Sequence, residues 1–172
     1  MNIIMTGSTS FVGAATVREL LRRGHTVTAI VRPKSSKLDT ILEGNEEALL
    51  SGRLLVIEND LSEPERLLEK VTKPQDVFCH FGWGGSGSAS RTDKALQEKN
   101  MEISLETVRT AEALGCSKFL FSGSQAEYGM HRDLITEETV CEPKSLYGEA
   151  KLAMREKGEK LCSELGLRSI HA

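Results

Sequence analysis

The sequence predicts an α/β fold with a doubly wound parallel sheet, formed by one domain over residues 1–172. Two observations carry this. Short apolar runs alternate with segments of helical periodicity over nearly the whole length, the pattern that gives βαβ units and a sheet covered on both faces. The first run also ends in a glycine-bearing turn that leads directly into a helix, the junction at which such folds bind phosphates.

The elements follow in order. "NIIMTG" is a first strand. In "SFVGAATVRELLRRG", Val12, Ala15 and Leu20 fall at helical spacing, and Gly24 reads as the stop. "HTVTAIVR" is a β-branched second strand; a polar stretch through Gly44 separates it from a third, "RLLVIEND". A helix is predicted from about Ser62 to Val71, with Ser62 as its cap and proline and acids in the first turn. "DVFCHF" is a fourth strand, and "TDKALQEKNMEISLETVRTAEALG" a long helix closing at Gly115. "SKFLFSG" is a fifth strand, Lys144 to Leu165 a helix, and "LRSIHA" the start of a further strand. The Gly/Ser-rich "FGWGGSGSAS" follows a strand at the end of the sheet where ligands bind, and reads as a loop over the site or as a long surface turn.

Composition narrows the partner. Of 172 residues, 39% are hydrophobic and 27% charged, as in a soluble globular protein. With 22 basic against 25 acidic residues and a net charge of −3, nothing suggests a nucleic-acid surface, and a small molecule is expected. No apolar run approaches the ~20 residues that span a bilayer, and "MNIIMTGS" lacks the pattern of a signal peptide, so a cytoplasmic location is expected. Cys79, Cys116, Cys141 and Cys162 form no CxxC, and the four histidines no HExxH, so neither structural zinc nor a disulfide framework is expected.

Three stretches carry chemistry. In "TGSTSFVG", Gly7 makes the tight turn and Gly13 lets helix and strand approach, leaving helix N-terminal N–H groups to face a pyrophosphate. After the second strand the chain reads "VTAIVRPKSSK": Arg32 stands where an acid would bind a ribose 2′-hydroxyl, which favours NADP over NAD unless Arg32 is only a solvated charge. In "SLYGEAKLA", Tyr147 and Lys151 sit one helical turn apart, roughly 5–6 Å at Cβ. That spacing suits either a solvated surface pair or a phenol whose ionised form a nearby ammonium favours, fit for proton exchange with an alcohol or carbonyl.

Taken together and in order, these residues resemble the extended short-chain dehydrogenase/reductases, in particular the nucleotide-sugar epimerase/dehydratase group. "TGSTSFVG" is similar to the family's TGxxGxxG loop, through Gly7, Ser10, Phe11, Val12 and Gly13. Asp60 and Leu61 resemble its Asp-Leu pair near the adenine, and "HFGWGG", with Phe81, Gly82 and Trp83, its strand-end motif beside the cofactor. Asn100 falls at a structural asparagine, "FSGSQAEYG" supplies Ser122 and Ser124, and "YGEAK" is similar to the YxxxK motif. The resemblance implies a Rossmann-like fold, bound NADP or NAD and hydride transfer at a nucleotide-sugar. It also implies roles for three side chains. Tyr147 is the proton donor or acceptor; Lys151 tunes it and holds the nicotinamide ribose; Ser124 hydrogen-bonds the reacting oxygen.

Four departures qualify it. Ser10 replaces the middle glycine, so its hydroxyl must crowd the pyrophosphate or bond it. Gln125 and Ala126 stand where dehydratases carry Asp-Glu, which disfavours dehydration and leaves epimerisation or keto-sugar reduction. Arg32 tilts this towards reduction. The chain also stops at "SIHA", where family members continue into a substrate domain, so a truncated chain with an open sheet edge and a possible homodimer is expected. A non-catalytic dinucleotide-binding module or an inactive fragment is the alternative. Trp83 is read as a stacking platform or as packing, Tyr128 as lining the substrate side or as core, and His80 as a satisfied core residue.

Overall fold

In the computed structural model, which describes residues 1–85 and 87–172, six strands form one parallel sheet in the order β3-β2-β1-β4-β5-β6. They are β1 (Asn2–Thr6), β2 (Thr26–Val31), β3 (Leu54–Glu58), β4 (Val77–His80), β5 (Lys118–Phe121) and β6 (Arg168–His171). This is the doubly wound arrangement that the alternation of elements predicts, with its order reversing between β1 and β4.

Period-two alternation in the strands builds two cores. Ile3, Met5, Val27, Ala29 and Cys79 bury one face beneath α1 (Phe11–Arg22), whose Ala14, Val17 and Leu21 meet them. Ile4, Phe78, Phe119 and Phe121 bury the other beneath α5 (Lys94–Ala113) and α6 (Leu146–Glu164), through Val108, Ala111, Met154 and Leu161. At the end of α1, Gly24 donates to the Leu21 carbonyl and His25 to that of Leu20, the closure expected at that glycine.

Local differences from the sequence reading have physical causes. The polar stretch after β2 contains two single turns of helix, α2 (Asp39–Leu42) and α3 (Glu46–Leu50), anchored by buried Ile41 and Ala48. These hold too few apolar residues for periodicity to register. The helix expected over Ser62–Val71 is a 3₁₀ turn, Pro64–Arg66, followed by the short α4 (Leu67–Lys70). Ser62 does not cap it: its hydroxyl donates to Asp60 at 2.6 Å. The helix expected from Lys144 begins at Leu146, capped by Ser145 Oγ, which accepts from the Gly148 N–H at 3.1 Å. The long helix starts at Lys94, with Asp93 as its cap. Within the Gly/Ser-rich loop, Ser86 lies outside the described residues, and a 3₁₀ turn covers Ser88–Thr92.

Candidate functional site

Where the strand order reverses, a cleft of about 360 Å³ opens at the carboxyl ends of the strands. Of the residues singled out in the sequence, Gly7, Ser10, Arg32, Asp60, Leu61, Phe81, Gly82 and Trp83 line it. Thr9, Lys37 and Asn59 also line it, and the sequence reading missed them. Lys37 stands five residues beyond Arg32 in the same basic stretch, which was the available signal.

The turn between β1 and α1 is built for close approach. Gly7 has φ +69°, and a Cβ there would stand 2.7 Å from the Phe81 carbonyl carbon. A Cβ on Gly13 would fall on the Gly7 carbonyl oxygen. Both glycines therefore do what the motif requires, and the cradle they leave suits a phosphate. Ser10 has an extended backbone, φ −75° and ψ 167°, that any residue can adopt, and its Oγ accepts the Gly13 N–H at 3.0 Å. The serine is thus an N-cap, and it takes up one of the donors that a glycine there would leave free. Phe11 and Val12, 94% and 60% exposed, turn their side chains to solvent, so what they can offer a pyrophosphate is their first-turn N–H groups.

At the far end of the cleft, the Asp60 carboxylate accepts from the Ser62 N–H and hydroxyl at 2.9 and 2.6 Å. Those bonds hold it below the usual carboxylate range.

The loop after β4 is fixed from beneath by a polar chain. The Gly82 N–H donates to Thr6 Oγ1 (3.2 Å), which lies 2.9 Å from His80 Nδ1. His80 Nε2 lies 3.0 Å from Ser104 Oγ, and that hydroxyl donates to the Asn100 carbonyl at 2.8 Å. These bonds assign the His80 proton to Nε2. Burial holds the ring neutral, with its pKa pushed down to about 3. His80 is the satisfied core residue expected. Asn100 clamps Gly84 from both sides, accepting from its N–H and donating to its carbonyl, each at 2.9 Å. Its amide is thus used on the loop.

Trp83 joins the cleft to Tyr147 and Lys151. Its indole N–H donates to Gln97 Oε1 at 3.0 Å, and its ring centroid lies 4.0 Å from Lys151 Nζ. Tyr147 meets Trp83 edge-on at 6.1 Å between centroids, and the Arg91 guanidinium lies 5.1 Å from the Tyr147 ring. Lys151 is buried; it donates to the Ser122 carbonyl at 3.0 Å and stands 5.9 Å from the centroid of Tyr147. Burial pulls its pKa down to about 8, and the Glu127 charge opposes that shift. Ser124 heads the 3₁₀ turn Gln125–Glu127, and its Oγ accepts the Ala126 N–H at 3.2 Å. Ser124, Tyr147 and Lys151 do not line the cleft, but Lys151 and Tyr147 reach its wall at Trp83. The sequence reading gave no role to Glu127, although "SQAE" has the spacing of a capping box, and both of that box's bonds are present.

A glycine cradle at the switch point of a doubly wound sheet, with basic residues along the cleft wall, is the architecture on which α/β proteins bind dinucleotides. The family profile described as "NAD dependent epimerase/dehydratase family" matches residues 3–171, and the chain belongs to that family. Among curated proteins it is 29% identical to D-erythronate dehydrogenase of Cupriavidus necator, over 99% of this chain and 52% of that protein. It is also 29% identical to dTDP-6-deoxy-L-talose 4-dehydrogenase (NAD(+)) of Aggregatibacter actinomycetemcomitans, over 91% of this chain and 53% of that one. A solved UDP-glucose 4-epimerase superposes with a TM-score of 0.82 at 26% identity, over 99% of this chain and 50% of the other. The chain spans about half the length of these relatives. Among the described residues no helix is long and apolar enough to cross a membrane.

Proposed function

We propose that this chain is the cofactor-binding half of an NAD(P)-dependent enzyme that reduces, oxidises or epimerises a nucleotide-sugar at a carbinol carbon. The observation that carries it is the juncture at Trp83: one indole lines the dinucleotide cleft and covers the ammonium of Lys151, one helical turn from Tyr147. A bound nicotinamide would supply the two-electron carrier. Tyr147 moves the proton on the substrate oxygen, and Ser124 supplies a second hydrogen bond there. Lys151, 5.9 Å from the Tyr147 ring, stabilises negative charge as the phenol gives up its proton. Gln125 and Ala126 carry no acid or base for elimination. Redox chemistry with cofactor exchange is favoured by Arg32 and Lys37, two cations on the cleft wall that suit a 2′-phosphate. The dehydrogenase names of two relatives agree with the redox chemistry, while the NAD(+) in one of them speaks for the cofactor without the 2′-phosphate.

The test is a thermal-shift titration with NADPH, NADP⁺, NADH and NAD⁺, since a ligand at 100 times its Kd stabilises the folded state by about 2.7 kcal/mol. The 2′-phosphorylated pair is expected to shift the chain more, and Arg32→Glu to remove that preference. A larger shift with NAD(H) would overturn the reading of Arg32. No shift with any of the four, from folded protein, would overturn the function.

A further inference from the structure

Behind Ser124 lies a buried acid that the reaction as described does not use. Glu127 is 1% exposed. Its Oε1 accepts the Ser124 N–H at 2.6 Å, and its Oε2 lies 3.0 Å from His171 Nε2, across on β6. The space between is full: a Cβ on Gly123 would stand 2.5 Å from His171 Cε1 and 3.2 Å from Glu127 Oε1. Immediately before that glycine, the Ser122 carbonyl holds Lys151.

The bonds fix where the charge sits. His171 Nδ1 is buried without a hydrogen-bond partner among the described residues. An imidazolium would bury an Nδ1–H with nothing to receive it, whereas a neutral ring protonated on Nε2 leaves only an unused lone pair, the smaller cost. Nε2–H then donates to Oε2, and the Ser124 N–H to Oε1, so both carboxyl oxygens accept and the proton belongs to neither. The pair carries one negative charge, on Glu127. The cations that face it are Lys151 and Arg155 of α6, and Arg155 is shared with Glu159 at 3.6 Å. Lys151 has a carbonyl and two aromatic rings about it and, among the described residues, no other carboxylate acting on it.

We propose that Glu127, held in place by His171, is the positioning residue of the site: it fixes the turn that presents Ser124 and supplies the buried counter-charge of Lys151. The inference rests on Ser124 and Lys151 serving the proposed reaction, but it can be read without turnover.

The experiment follows imidazole and lysine side-chain nitrogens by NMR in the 172-residue chain and in Glu127→Gln. In the wild-type chain His171 is expected neutral, with its proton on Nε2, through the pH range above 5. Glutamine keeps an oxygen for the Ser124 N–H but turns an NH₂ towards the ring, so the His171 proton should move to Nδ1. Lys151 should then titrate lower by roughly one pH unit, having lost its opposite charge. An imidazolium at His171 in the wild-type chain, or an unmoved Lys151 in folded Glu127→Gln, overturns the proposal. Should that variant not fold, the wild-type His171 state decides alone: neutral with Nε2–H supports the proposal, and any other state refutes it. Inactivity with nucleotide-sugars alongside a shifted Lys151 would count against the function only. Activity with an unmoved Lys151 would count against this inference only.

Discussion

Acidification should weaken this fold through buried His80 and half-buried His171, and the size of the effect follows from where they sit. His80 is enclosed between Thr6 and Ser104, with its pKa pushed down to about 3 by burial and by the positive charge of Lys151. His171 is pushed down to about 4, by burial and then by the charges of Arg155 and Lys151. In the unfolded chain both take up a proton near pH 6.5. Their folded pKa values are depressed, so the stability they contribute is present above about pH 6.5 and is lost as pH falls towards 4 and 3. From about pH 7.5 to about pH 4.5 the loss is about 2.6 kcal/mol at His80 and close to that at His171. Together they amount to a large fraction of an ordinary domain's stability. Glu127 acts in the opposite sense, because burial raises its pKa and the folded state takes up that proton before the unfolded chain does. The assay is urea unfolding across this pH range on the wild-type chain and on His80→Gln. The variant should lose stability less steeply, by about 1.4 kcal/mol per pH unit below pH 6. Equal slopes, or a wild-type His80 that titrates near pH 6.5 by NMR, would refute the reasoning.

Four further outcomes are expected. Ser10→Ala should cost about 1 kcal/mol of stability by removing the cap on the Gly13 N–H. Ser10→Gly should cost only a few tenths and return that donor to an anion, which tightens dinucleotide binding in calorimetry. Gly13→Ala should cost about 3 kcal/mol of stability in urea unfolding, since its Cβ would meet the Gly7 backbone, which cannot turn aside as a side chain would. Trp83 is the single tryptophan, so its emission should change as dinucleotide is added and saturate at the concentration found by thermal shift; an unchanged spectrum on proven binding would place Trp83 apart from the occupied site.

The strands and long helices were legible because each buries a continuous apolar run, and the order of runs then leaves few topologies. Gly7 and Gly13 were legible because close backbone approach admits no other residue. What escaped notice was made by contacts distant in sequence. The Glu127–His171 pair joins residues 44 apart, and Lys37 lines the cleft together with Asp60 and Trp83, far from it in sequence. Ser10 misled in a particular way. Its hydroxyl was weighed against the pyrophosphate alone, while in the fold it serves the helix first.

The geometry also explains why a side chain as large as Trp83 stands in the glycine-rich loop. The chain of bonds from Gly82 through Thr6, His80 and Ser104 to Asn100, and back to Gly84, fastens the backbone on both sides of Trp83. Gln97 fixes the indole itself. The ring is therefore held at its hinge and at its edge, and its face is presented to the Lys151 ammonium, where a cation–π contact is worth about 1–2 kcal/mol in a partly buried setting. A substrate or cofactor group that engages Lys151 must supply at least as much, or add to the contact rather than displace it. Trp83, held by the network beneath the loop, is thus the side chain that the cleft wall and the surroundings of Lys151 share.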